Sequence, residues 1–178
     1  MNIFLRFWRW LLSLFWTKSL KVVVIGLPAA GKTTLVRAFS GKDTEEETIP
    51  TVGTEQTVTK VGNVEFEICD FGGNCKFLWQ SVLPASDVIL FVVDSTKSED
   101  IATSERELNE LVVNPDLSQK PILVIANKQD LPEAYHEDEI IARLRLSDID
   151  SDNIKLFCAS AKKKTNIDVL VRWMVDNL

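Results

Sequence analysis

Two runs in the middle of the chain, Val88 to Val93 and Ile122 to Ala126, hold apolar residues alone. Runs of that length, rich in branched side chains, predict strands buried on both faces, as in a parallel sheet. Leu20-Lys21-Val22-Val23-Val24-Ile25 reads the same way, and Ile154 to Cys158 reads as a last strand. Two further strands are predicted near 55–61 and 64–70, joined at Gly62-Asn63, a dipeptide suited to a hairpin turn. Helices fit between the strands at 33–39, 99–113, 136–145 and 166–177. Strands alternating with helices predict an α/β fold: a doubly wound, mostly parallel six-stranded sheet with helices on both faces. The chain shows no repeat, no low-complexity segment and no linker long enough for a second domain of this kind.

The first 17 residues follow a different pattern. Asn2, Arg6, Arg9, Ser13 and Thr17 recur at helical spacing and form one narrow polar stripe. Phe4, Phe7, Trp8, Trp10, Phe15, Trp16 and the leucines cover the rest. A helix here would be only about 25 Å long at 1.5 Å per residue, and it carries two arginines, which suits a membrane interface better than a span. A secretory signal is disfavoured, because no small-residue cleavage site separates this run from the first strand. The competing reading is a helix packed on its own domain. Both hold if the helix changes place.

Charge sharpens the division. Residues 1–18 carry Arg6, Arg9 and Lys18 and no acid, whereas 19–178 hold 17 basic and 26 acidic side chains, a balance of −9. An acidic body argues against general nucleic-acid binding, and a basic, aromatic tip argues for a membrane surface or a protein groove. The 178 residues suffice for one domain with a core. Cys69, Cys75 and Cys158 have neither metal spacing nor disulfide arithmetic, which fits the cytosol. Cys69 and Cys158 are expected as small core residues, and His136 as a solvated residue at a helix start.

The candidate chemistry sits at strand ends. Gly26-Leu27-Pro28-Ala29-Ala30-Gly31-Lys32-Thr33 fulfils the pattern GxxxxGK[ST]. In such a loop, backbone N–H groups and a helix start surround phosphates, the lysine reaches the β- and γ-phosphates and the hydroxyl binds Mg²⁺. Asn127-Lys128-Gln129-Asp130 follows a buried strand. There an aspartate can accept two hydrogen bonds from the N1–H and amine of guanine, an edge adenine lacks. A kinase or ATPase is disfavoured on that ground. Asp70, ending a strand, can hold a Mg²⁺-bound water, and Gly73 can donate its N–H to a γ-phosphate. Thr51 is the candidate second hydroxyl on Mg²⁺. The segments of Thr51 and Gly73 are therefore the expected switches between the GTP and GDP states. Ser160-Ala161-Lys162 would support the base.

Taken in order, these motifs resemble those of a small GTPase, and more narrowly the ARF-like family. The resemblance covers essentially the whole chain. It rests on Gly26-Leu27-x-Ala29-Ala30-Gly31-Lys32-Thr33-Thr34, Pro50-Thr51-Val52-Gly53 and Asn127-Lys128-Gln129-Asp130-Leu131-Pro132. Leu14-Phe15-Trp16, Ile49 to Gly53, Lys60 to Val64 and Asn166-Ile167-Asp168 before Trp173 are similar to the lysosome-associated branch. The resemblance implies the P-loop small-GTPase fold, GTP/GDP and Mg²⁺ as ligands, and Gly26 to Thr34, Thr51, Asp70, Gly73, Asn127, Lys128, Asp130 and Ser160 to Lys162 as the nucleotide site. It implies an amphipathic membrane-binding helix over 1–18, a guanine-nucleotide domain over 19–178, and a monomer peripheral on a lysosomal or endosomal membrane. Position 2 is Asn, so no myristoyl anchor is expected.

The chain also departs from that family. Asn74 stands where relatives have the glutamine that orients the attacking water, and it is one methylene shorter. A shortfall of about 1 Å can cost around 10²-fold in rate. Pro28 removes one N–H from the phosphate loop. The segment between Asn74 and Trp79 is two residues shorter than the family pattern. Thr54, Cys69 and Val82 fall where relatives carry aromatics, so the partners of relatives do not carry over. Two readings follow: a membrane-recruited GTPase switch in vesicle or lysosomal traffic with slow hydrolysis, in which Lys32, Gly73 and Asn74 do the catalytic work, or a GTP-binding scaffold that scarcely hydrolyses.

Overall fold

In the computed structural model, residues 18–41, 44, 54–61, 64–71, 79, 81–149 and 152–178 are described. In the strands 54–61 and 64–71 the description is of the backbone, with the side chains of Val58 and Phe66. The strands are β1 (Lys18–Gly26), β2 (Thr54–Val61), β3 (Val64–Phe71), β4 (Val88–Asp94), β5 (Ile122–Asn127) and β6 (Ile154–Cys158). The helices are α1 (Lys32–Phe39), α2 (Ser98–Val112), α3 (Glu137–Arg143) and α4 (Ile167–Asn177). The sheet order is β2-β3-β1-β4-β5-β6. Only the β2–β3 hairpin is antiparallel within it; β1 pairs in parallel with β3 and β4, and β5 with β4 and β6. The expected α/β sheet is therefore present.

Side-chain alternation along the central strands divides the core in two. Val22, Val24, Leu90, Val92, Leu123 and Ile125 point to one face, where Leu35, Phe39, Leu170 and Met174 of α1 and α4 cover them. Val23, Ile25, Ile89, Phe91, Val93 and Val124 point to the other, under Ile101, Leu108 and Leu111 of α2 and Ile140 of α3. Every residue of β4 and β5 is buried. Each such large apolar side chain contributes about 1.5–3 kcal/mol relative to exposure, so this pair is the rigid floor of the molecule.

Several boundaries differ from the sequence reading. Lys18, assigned there to the N-terminal segment, is the first residue of β1. Helix α3 spans Glu137–Arg143 rather than 136–145, because Arg145 takes a left-handed φ of 53° and turns the chain into the 3-10 segment Leu146–Asp148. His136 is exposed before that helix, and its N–H donates to the Glu139 carboxylate at 3.0 Å. The expected helix over residues 1–17 lies outside the described residues. Among the described residues no helix is long and apolar enough to cross a membrane.

The sheet order places the site. Strand β1 lies between β3 and β4, where the winding direction reverses, and ligands of open α/β sheets sit beyond the carboxyl ends of strands at such a point. Gly26, Asp94, Asn127 and Cys158 close β1, β4, β5 and β6 at that edge, and Asp94 pairs with Asn127 in register.

Candidate nucleotide site

The loop after β1 is shaped by two glycines. Gly26 has φ 140°, and a Cβ there would lie 2.2 Å from the Val92 carbonyl of the neighbouring strand. Gly31 has φ 94°, and a Cβ there would lie 2.3 Å from the Asn127 amide nitrogen. Ala29 also takes a left-handed φ, 62°, which costs a non-glycine residue about 1–2 kcal/mol. Pro28 and Ala29 are exposed at the tip, Leu27 is half-buried and Ala30 is buried. The Lys32 ammonium is drawn into the loop, donating to the carbonyls of Gly26 at 3.1 Å and Leu27 at 2.8 Å. Thr33 and Thr34 follow in the first turn of α1, both half-buried. That turn holds no acidic residue, so the positive end of the helix dipole and the lysine charge act together on an anion.

The second half of the site grows from β5. Asn127 is buried, and both ends of its amide are bonded. Its NH₂ donates to the Ala30 carbonyl at 2.8 Å, and its oxygen accepts from the Ala161 N–H at 2.9 Å. One side chain thus ties the phosphate loop to the loop after β6. Asp130 is exposed, and one carboxylate oxygen accepts from the Ser160 hydroxyl at 2.6 Å. A carboxylate has about four acceptor positions, so Asp130 keeps capacity for a donor edge. Ser160 also accepts from the Lys163 N–H and exchanges two backbone bonds with Thr165, which closes the Ser160–Lys162 turn. Lys162 is exposed on that turn.

Lys128 has a left-handed φ of 69°, and its ammonium donates to Asp94 at 2.5 Å. The lysine stem therefore reaches from the end of β5 to the end of β4. Burial pushes the Asp94 carboxyl up, but hydrogen bonds from Lys128 and from the hydroxyl and N–H of Thr96 outweigh it and hold the pKa below the usual carboxylate value. Gln129 donates to the Ser95 hydroxyl at 3.0 Å and the Tyr135 carbonyl at 3.1 Å. The Arg143 guanidinium lies 4.0 Å from the Tyr135 ring centre, which locks this corner to α3.

Lys32, the phosphate loop, Asn127, Lys128, Asp130, Ser160 and Ala161 are thus brought together. The backbone of Asp70 lies near the end of β3, opposite Val24 of β1. Thr51, Gly73 and Asn74 lie outside the described residues. Asp94 and Ser95 were missed from sequence, and Gln129, inside the Asn127–Asp130 motif, was given no role; the available signal for Asp94 was a polar residue directly ending a buried apolar run. Cys158 is half-buried at the end of β6, and burial, with the Glu137 charge, pushes its thiol up to about 11, so it is an inert packing residue at neutral pH. Among the described residues no group of His, Cys, Asp and Glu could cage a metal. The donors at this edge suit a hard cation held by hydroxyl, water and phosphate oxygens, as Mg²⁺ is.

In comparison with known proteins, the chain matches the model of the ADP-ribosylation factor family over residues 7–178. ADP-ribosylation factor-like protein 8c of Arabidopsis thaliana is 32% identical over 169 residues, covering 94% of this chain and 92% of that protein. Among solved structures, the Arl6 BBS3 small GTPase of Trypanosoma brucei, with the nucleotide analogue GppNp bound, matches with a TM-score of 0.80 and 25% identity. That match covers 89% of this chain and 96% of the other.

Proposed function

The chain belongs to the ADP-ribosylation factor family, and from that premise we propose that it is an ARF-like GTP/GDP switch recruited to a membrane surface. Members of this family are small GTPases that bind guanine nucleotide, typically with Mg²⁺. The observation that carries the reading is the doubly bonded Asn127 amide, which fastens the phosphate-loop end and the base end into one rigid unit.

In this reading the amides of Gly26 to Thr34, less that of Pro28, surround the phosphates. Lys32 exchanges its loop carbonyls for β- and γ-phosphate oxygens. Asp130, held by Ser160, accepts the two donors of guanine, and the Lys128 stem and the Ala161–Lys162 backbone flank the base. Thr33 and Thr51 would supply hydroxyls to Mg²⁺, and Asp70 would hold one of its waters. Mg²⁺ held there would neutralise charge that develops on the phosphate oxygens. Gly73 senses the γ-phosphate by its N–H, and Asn74 orients the attacking water from a side chain one methylene short. Residues 1–17 provide the lipid contact, with 18–178 as the guanine-nucleotide domain. Resemblance to the lysosome-associated branch supports a peripheral place on lysosomal or late endosomal membranes, in vesicle or lysosome traffic.

The test is Asp130→Asn. Inverting one acceptor into a donor should lower GTP affinity by roughly 10²-fold or more and confer binding of xanthosine triphosphate, whose base presents the complementary edge. Unchanged GTP affinity would overturn the assignment of the base site. Asn74 and Pro28 favour a second reading, a GTP-binding scaffold without significant hydrolysis. Single-turnover hydrolysis of bound GTP separates the two.

A further inference from the structure

Thr44 lies in the connection between α1 and β2, within the run Lys42-Asp43-Thr44-Glu45-Glu46-Glu47. A threonine in so charged a stretch is expected at the surface, yet Thr44 is only 4% exposed. Its hydroxyl donates to the Lys162 carbonyl at 2.8 Å, across 118 residues of sequence. That carbonyl belongs to the turn whose other groups hold the base-reading residues. The Ala161 N–H donates to Asn127, and the Ser160 hydroxyl donates to Asp130. One turn is therefore held by three side chains: Asn127 and Asp130 from the base-reading motif, and Thr44, which precedes Thr51 in sequence.

We propose that Thr44 is a positioning residue for nucleotide retention, its hydroxyl acting as a strap on the Lys162 carbonyl of the Ser160–Lys162 turn at the base end of the site. The inference rests on the GTP-binding reading above. The strap's bond joins neutral groups, so its loss should change the release rate by a modest factor, about 3- to 10-fold. Association should be spared, as is usual when a single contact is altered.

The experiment uses the full chain loaded with a fluorescent GDP in the presence of Mg²⁺, chased with excess unlabelled GDP. Thr44→Val keeps the branched shape and loses the donor. It should release nucleotide about 3- to 10-fold faster, with an association rate within about twofold of wild type. Thr44→Ser keeps the hydroxyl and should release at the wild-type rate, a rescue that a purely space-filling role would not give. Thr44→Ala serves as the second donor-free variant should the valine form fail to fold. Release from both donor-free variants at the wild-type rate would overturn the strap. Equal acceleration in the serine variant would overturn it too, as would a change confined to association. If wild type bound no guanine nucleotide, the GTP-binding reading would fall and the strap with it. Binding with unaltered release removes the strap alone.

Discussion

Gly31 meets two constraints at once: a left-handed φ of 94° and a Cβ position 2.3 Å from the Asn127 amide nitrogen. Gly31→Ala must therefore adopt a strained backbone and also displace the side chain that ties the loop to Ala161. Strain of this kind costs about 1–3 kcal/mol, which in a domain of this size lowers Tm by roughly 2–12 °C. Nucleotide affinity should fall with it. Gly41 is the internal comparison: φ is 68°, no atom of the described residues lies within 4 Å of a Cβ there, and asparagine tolerates that conformation. Thermal melts should show Gly41→Asn close to wild type and Gly31→Ala clearly lower; equal melting of the two would remove the steric argument. The glycines and Lys32 are legible in the sequence because their residues are contiguous and each type has one physical use. The Asp94–Lys128 pair and the Thr44 bond span 34 and 118 residues, and nothing in a local pattern says what a polar side chain will face.

At the level of elements, β4 and β5 are legible from their apolar runs, because burial on both faces leaves no other pattern available. Their last residues are not, since each strand continues one step into a polar residue that is itself buried, Asp94 at 2% exposure and Asn127 at 2%. These are the positions where the sheet becomes the site. For Asp94 the consequence is a pH dependence. Its carboxyl is held below the usual value in the folded protein, where desolvation is outweighed by bonds from Lys128 and Thr96. In acid the unfolded chain therefore binds the proton more readily, and stability from this group rises with pH. The contribution is complete above the ordinary carboxylate pKa, near 4, and disappears as pH falls through the lowered folded value. Asp94→Asn should melt below wild type at pH 6, by an amount equivalent to about 1.5–3 kcal/mol for the lost charged hydrogen bonds, and the gap should close as the buffer is taken toward pH 3. A gap that stays constant over that range would show that charge at Asp94 is not what stabilises the end of β4.

At the scale of the whole molecule, the acidic body and the basic, aromatic tip set opposite electrostatic tasks. Residues 19–178 carry −9 and would be repelled by an anionic lipid surface, so the proposed membrane recruitment requires the first residues, where Arg6 and Arg9 sit among tryptophans and phenylalanines in sequence. The contacts that build the nucleotide site among the described residues involve none of them. Its two halves are joined through Asn127, and its strands rest on a core that begins at Leu20. Removing residues 1–17, just short of the start of β1 at Lys18, should therefore leave guanine-nucleotide affinity within about twofold of the full chain while abolishing co-sedimentation with vesicles containing phosphatidylserine in the presence of a non-hydrolysable GTP analogue. The full chain should lose vesicle binding gradually as salt is raised, because screening over about 8–10 Å weakens the arginine contribution before it affects insertion of the aromatic rings. A truncated protein that still sediments would place the lipid-binding surface on the nucleotide domain itself. One that no longer binds nucleotide would mean that the segment is part of the core, packed on the domain in the way its apolar breadth also allows.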